Sequence, residues 1–177
     1  MTSRITQDEF NRLLATFDRS AFRLETQPAY ALGYERADFD QFLAGSPVPP
    51  PELDWWRPWL DQIASLTREG KAVGRVRVLA EPPTDYQRWE VWGARWNAKA
   101  GERVSYMPLS RAERIGLALD HDWWLLDDER LIIMRYTGGG EIASKELTTD
   151  PGILARHREW RDLAVRNATP AEEYAAA

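Results

Sequence analysis

His121-Asp122-Trp123-Trp124-Leu125-Leu126-Asp127-Asp128 is the stretch on which the fold turns. A histidine and an aspartate stand seven apart, and an apolar run of strand character separates them. With a lysine two residues after the histidine, this would be a phosphoryl-transfer constellation. The histidine would attack phosphorus or protonate the leaving group, the lysine would hold the phosphate, and the aspartate would support the site. Position 123 is tryptophan instead. An indole lacks the fixed charge that stabilises a crowded phosphoryl transition state, so the segment points to a scaffold more strongly than to an activity. A plainer reading stands beside it: a turn entering a strand, with Trp123 or Trp124 packed inward. Asp127 and Asp128 would then shape the hairpin through local bonds to backbone N–H groups.

Working outward, 122–126 and 131–136 read as a hairpin across the acidic turn Asp127-Asp128-Glu129, and Thr137-Gly138-Gly139-Gly140 turns the chain into a further strand at 142–147. Upstream, Val73 to Leu79 alternates, with Val76 and Val78 facing one way and Arg75 and Arg77 the other. A short strand follows at 103–108. Thr6 with Glu9, Thr84 with Gln87, and Ser110 with Glu113 fit the capping box at helix starts. Asp150-Pro151 places an N-cap before a proline at the first helical position, and Asp54 is a candidate cap for a helix with Pro58 in its first turn. The expected order before residue 72 is a helix (about 7–17), a strand (about 21–27) and two helices (about 34–44 and 55–69). Pro47, Pro49, Pro50 and Pro51 form a rigid loop between the last two. From residue 72 the order is strand, helix, strand, short helix, three meandering strands, helix. The expectation is an α/β (α+β) fold with a central mixed sheet flanked by helices. It is one domain over 1–177, with a mainly helical part at about 1–70 and a mixed-sheet core at about 71–168.

Composition narrows the function classes. The 177 residues carry a formal charge of −5, which argues against a nucleic-acid surface covering the whole molecule, and there is no cysteine for a disulfide, thiolate zinc site or iron–sulfur cluster. No stretch has the apolar length of a signal peptide or membrane span, so a soluble cytoplasmic protein is expected. Nine tryptophans imply an aromatic core or groove lining. Ala175-Ala176-Ala177 is the sole low-complexity tract.

On the helix starting at Thr84, Tyr86, Trp89, Gly93, Trp96 and Ala100 fall at spacings of three and four and form the expected buried face, with Gly93 admitting a close neighbour. Arg88, Trp92, Arg95 and Lys99 form a second stripe suited to an anionic partner, and Arg75 and Arg77 stand close enough in sequence to enlarge it. The candidate ligand or partner residues are therefore Arg75, Arg77, Asp85, Tyr86, Arg88, Trp92 and Arg95, with a small anion expected near Thr84 to Tyr86. The alternative is a solvated face in which Arg88 pairs with Asp85 or Trp92. His157, on the apolar stripe of the last helix, reads as a satisfied core histidine. With two histidines and no cysteine no metal site is expected, and no cofactor fingerprint is present.

Five segments carry a family resemblance: Ala21-Phe22-Arg23-Leu24-Glu25-Thr26; Glu81-Pro82-x-Thr84-Asp85-Tyr86-x-Arg88-Trp89-Glu90; Asn97-x-x-Ala100-Gly101-Glu102; Asp122-x-Trp124-x-x-Asp127-Asp128; and Ala155-Arg156-His157-Arg158-x-Trp160-Arg161-Asp162. In these the chain resembles an actinobacterial domain family of unknown function, commonly encoded beside helix-turn-helix regulators. The element order from Val73 to Trp160 is also similar to one half of a phospholipase-D-like domain. Here His121 and Asp128 are the remaining candidates of an H-x-K-x(4)-D motif present in a single copy. The resemblance implies a regulatory setting, and with the missing lysine and single motif copy the expectation is a non-catalytic regulatory or interaction protein acting with a helix-turn-helix partner, its arginine stripe open to a small anionic ligand. The chain shows no helix-turn-helix of its own, so no direct sequence-specific DNA binding is expected, nor a membrane or a cofactor, and a homodimer stays open. The alternatives are a phosphodiesterase or nucleotide-acting enzyme of degenerate phospholipase-D type, and one member of a toxin–antitoxin-like pair.

Overall fold

The computed structural model describes residues 2–174, so the alanine tract at 175–177 lies outside it. The elements are β1 (Thr2–Arg4), α1 (Gln7–Ala15), β2 (Ser20–Glu25), α2 (Arg36–Leu43), α3 (Arg57–Arg68), β3 (Ala72–Leu79), α4 (Asp85–Ala100), β4 (Arg103–Pro108), α5 (Leu109–Arg114), β5 (Asp122–Leu126), β6 (Arg130–Tyr136), β7 (Ile142–Thr148), α6 (Pro151–Asn167), β8 (Thr169–Pro170) and α7 (Ala171–Tyr174). All strands join one mixed sheet of order β1-β7-β6-β5-β2-β3-β4-β8. β2, β3 and β4 run parallel to one another, and the other pairings are antiparallel. The N-terminal part is less separate than its helices suggest: β2 lies in the middle of the sheet, and β1 borders β7 at one edge.

The period-two side-chain pattern divides the core. Phe22, Leu24, Val76, Val78, Trp123, Leu125, Leu131 and Ile133 face Leu154 and Ala164 of α6 and Ala112 of α5. Ala21, Val73, Trp124, Leu126, Ile132 and Met134 face Phe10 and Leu14 of α1 and Leu66 of α3. Trp123 and Trp124 are thus both buried, at 0% and 1% exposure, on opposite faces. A central strand covered on both sides leaves no solvent face, so the charged residues that alternate with these apolar ones must find partners inside.

The capping boxes at Thr6 and Thr84 form, and Asp150 accepts from the N–H groups of Gly152 and Ile153. Two expected caps do not. α3 starts after Trp56 without a side-chain cap, and Asp54 pairs with Arg57 instead at 2.9 Å. α5 follows Pro108, and the N–H of Ser110 donates to Glu81, held by the preceding turn. α4 ends at Gly101 (φ 109°), where a Cβ would sit 2.7 Å from the Thr67 hydroxyl. Gly93 admits the close neighbour expected of it: a Cβ there would come within 2.3 Å of the Trp56 ring. The helix phase differs from expectation in its second half, at Trp96 and Ala100, neither of them fully buried. Gln87, Glu90, Ala94 and Asn97 share the buried face with Tyr86, Trp89 and Gly93, while Trp96 is only half-buried. Turned outward, Trp96 packs on Trp92 at 5.0 Å, and the buried face carries three polar side chains, Gln87, Glu90 and Asn97.

Candidate functional site

The buried polar face of α4 meets charged side chains of β2 and β3. Arg75 donates from Nη1 to Glu25 (2.9 Å) and from Nε to Glu102 (2.8 Å). Arg77 donates from Nε to the other Glu25 oxygen at 2.8 Å, and its Nη2 lies 3.1 Å from Glu90 Oε1. Arg23 lies against Glu25 at 3.0 Å and over the Trp124 ring at 5.4 Å. The Asn97 amide donates to Glu102 at 2.6 Å. Asp122, the first residue of β5, accepts from the backbone and hydroxyl of Thr26 (2.8 and 2.9 Å) and from the Tyr30 hydroxyl (2.5 Å). Glu35 accepts from the Tyr86 hydroxyl. All these charged groups but Arg23 are at most 8% exposed. Breaking such a cluster is costly because it strands a buried charge.

Five carboxylates (Glu25, Glu35, Glu90, Glu102, Asp122) surround three guanidinium groups (Arg23, Arg75, Arg77). The central carboxylate, Glu25, stays ionised: burial opposes this, but the three arginines hold it well below the usual carboxylate range. The outer ones do not share that support. Burial, reinforced by the charge of Glu25 and only partly countered by Arg77, pushes Glu90 up to about 8. Burial pushes Glu35 up to about 7 against the Tyr86 hydrogen bond, and raises Asp122 against Arg23.

Glu25, Glu35, Glu90 and the three arginines of the cluster floor a cavity of about 370 Å³ between the sheet and α1, α3 and α4. Its walls are aromatic, with Trp55, Trp56, Trp59, Trp89, Trp124 and Tyr86, and the exposed Gln7, Asn11 and Tyr34 rim it. Trp55 and Trp56 stack at 5.0 Å, and Trp56 meets Trp89 edge-on at 5.7 Å. Three cavity-lining residues carry buried polar atoms with no hydrogen-bond partner, Arg23 Nε, Glu90 Oε2 and Trp124 Nε1. Buried polar groups are nearly always bonded, so three orphans on one cavity mark the place where a ligand or water would bond.

The sequence candidates separate in space. Arg75, Arg77 and Tyr86 line the cavity. Asp85 and Arg88 are exposed and paired with each other, as the solvated-face reading has it. Arg95 lies over Trp92 and Trp96, and Trp92 packs on Phe42 at 5.9 Å. The arginines of β3 therefore do not enlarge the α4 stripe, because they point beneath the helix toward their carboxylates. At the start of α4 the capping box bonds the N–H groups of Thr84 and Gln87, and the Thr84 hydroxyl donates to Pro28 O. Arg23, Glu25, Glu35, Glu90, Glu102 and Asp122 were missed. The signal was alternation of arginine and glutamate in strands with apolar residues on the other face. All but Glu35 lie within the segments quoted for the family resemblance.

His121 and Asp128 do not converge. They lie beyond opposite ends of β5, on the order of 20 Å apart at about 3.3 Å per residue. Asp128 pairs with Arg161 of α6. His121 is 6% exposed, with Nδ1 2.8 Å from Asp120 and Nε2 3.2 Å from Nε2 of His157, itself 4% exposed. Nδ1 of His157 is 2.9 Å from Ile153 O. If both Nδ1 atoms donate, two Nε2 lone pairs face each other unless one ring carries a second proton. Burial pushes His157 down to about 4, against the help of the Ile153 carbonyl. Trp123, at the lysine position, packs edge-on against His157 at 5.2 Å. Among the described residues no group of three or more His, Cys, Asp or Glu side chains is placed to hold a metal ion, and no helix is long and apolar enough to cross a membrane.

Solved structures share this mixed-sheet fold. NucT from Helicobacter pylori matches with a TM-score of 0.54 at 10% identity, over 96% of this chain and 98% of that one. Nuc from Salmonella typhimurium, a phospholipase D family member, matches with a TM-score of 0.52 at 11% identity over the same shares. At such identities the likeness is one of fold. The chain itself belongs to the domain of unknown function DUF6879, whose family model matches residues 8–176. No curated protein matches it.

Proposed function

We propose that this protein is a non-catalytic ligand-binding module built on a phospholipase-D-like scaffold, with its working site in the cavity beneath α4. One observation carries the reading: Glu90 Oε2 and Trp124 Nε1, both buried and unpartnered, belong to residues that line an opening of ligand size. In the regulatory setting that the family resemblance implies, a helix-turn-helix partner would sense the ligand-bound state. The exposed Arg88 and Arg95, flanking Trp92, are its proposed contact. Reversing both arginines to Glu should then abolish a salt-sensitive interaction with that regulator and leave the melting temperature unchanged.

A phosphodiesterase is favoured by a different observation, the 3.2 Å contact of two imidazoles, one able to attack and one to donate a proton. The burial of both rings and the indole at position 123 weigh against it. Hydrolysis of bis-p-nitrophenyl phosphate decides between them and is expected at the buffer rate. Turnover lost in His121→Ala but kept in the surface control Arg36→Gln would overturn the non-catalytic reading.

A further inference from the structure

Resting on the ligand-binding reading, we infer that the cavity takes a protonated organic amine carried on an aromatic or apolar body. Among the cavity arginines Arg23 Nε makes no hydrogen bond, but it lies 3.0 Å from the Glu25 carboxylate, which already holds its charge, so no set of free guanidinium donors awaits an anion. Arg75 and Arg77 are each held by two carboxylates, and Arg23 lies between Glu25 and the Trp124 ring. The cavity lining sets Glu25, Glu35 and Glu90 against Arg23, Arg75 and Arg77, while Glu102 and Asp122 hold arginines from behind, and the one carboxylate oxygen without a partner, Glu90 Oε2, belongs to the cavity wall. A carboxylate oxygen needs a donor. An ammonium N–H supplies the donor, and its charge takes the place of the proton that Glu90 gives up. The tryptophans add the second element of recognition, since indole faces attract cations and stack on flat bodies. A quaternary ammonium would satisfy the aromatic walls but leave Glu90 Oε2 without a hydrogen bond, so a primary or secondary amine is the better match. At about 370 Å³ the cavity is large enough for an amine with one or two rings.

Binding should also expel a proton. Glu90 is held protonated near neutrality by its surroundings, and it must ionise to pair with the ammonium.

The test uses the full chain and three probes of one shape, phenethylamine, its N,N,N-trimethyl derivative and phenylacetate, titrated by calorimetry at pH 7 in phosphate and in Tris. Phenethylamine is expected to bind at least tenfold more tightly than either analogue, with a heat that differs between the buffers by the release of up to one proton. Glu90→Gln, and independently Glu35→Gln, should each retain a cooperative thermal transition, and Glu90→Gln should reduce phenethylamine affinity at least tenfold. Tighter binding of phenylacetate would overturn the amine and leave the ligand-binding reading standing. Equal binding of the trimethyl derivative would remove Glu90 as the recognising group. Silence from all three probes at millimolar concentration would overturn both readings.

Discussion

Glu90→Gln should make the protein more stable at alkaline pH and nearly neutral in stability at acid pH. In the native state Glu90 is pushed up to about 8 by burial and by Glu25, from an ordinary value of 4.5. Between those values the folded chain holds a proton that the unfolded chain has lost, so wild-type stability falls as pH rises through this window and levels off above it. The window spans about 3.5 pH units, and each is worth about 1.4 kcal/mol, so the ceiling is about 5 kcal/mol. Arg77, 3.1 Å from Glu90 Oε1, still finds a carbonyl acceptor in glutamine, while the new amide is itself buried. Those two effects act alike at every pH and leave the gain at pH 9 relative to pH 5 at about 4 kcal/mol, from the roughly three pH units of the window that lie above pH 5. Glu35, raised to about 7, acts in the same direction and should show a smaller gain as Glu35→Gln. Urea midpoints of wild type and both variants at pH 5, 7 and 9 measure it. A constant difference between wild type and Glu90→Gln across that range would refute the reasoning, because Glu90 would then be ionised in the folded protein throughout.

Trp89→Ala should cost about 3–5 kcal/mol, since the indole is 1% exposed amid Tyr86, Trp56 and Phe39. Trp96→Ala should cost well under half of that, and equal denaturant shifts would mean the phase of α4 is misplaced. Asp127→Ala should cost about 3 kcal/mol or more, because its carboxylate accepts from the backbone N–H groups of Asp18, Arg19 and Ser20 and from Arg130. Asp127→Asn, which keeps an acceptor and suits the left-handed backbone at φ 56°, should cost less. His157, pushed down to about 4 from 6.5, takes its proton more readily in the unfolded chain, so its contribution is lost as pH falls through that window. His157→Gln should flatten the acid limb of the stability profile.

The hairpin around Asp127-Asp128, the β3-α4-β4 unit and the last helix were legible in the sequence because caps, turn residues and alternation all agree there. β1 and β8 were not, since Thr2–Arg4 and Thr169–Pro170 carry no apolar pattern and are strands only because β7 and β4 offer edges to them. The cavity was half legible. Arg75 and Arg77 are cavity residues as well as sequence candidates, but alternation alone equally permits them to extend the α4 stripe of Arg88, Trp92 and Arg95. The burial of their face of β3 depends on α3 and α4 crossing it, a tertiary fact that makes glutamates 25, 90 and 102 their partners. Asp127 illustrates the same limit: its role as an acceptor for residues 18–20 spans more than a hundred positions.

The indole N–H region of a proton–nitrogen correlation spectrum separates the two faces of the sheet in a single titration. All nine tryptophans report there, and Trp123 and Trp124 are adjacent in sequence yet lie on opposite sides. On addition of phenethylamine the resonances of Trp55, Trp56, Trp59, Trp89 and Trp124 should shift together and saturate, while Trp123 and Trp160 stay in place. Shifts confined to Trp123 and Trp160, beside His121 and His157, would place the working site on the histidine face and contradict the account.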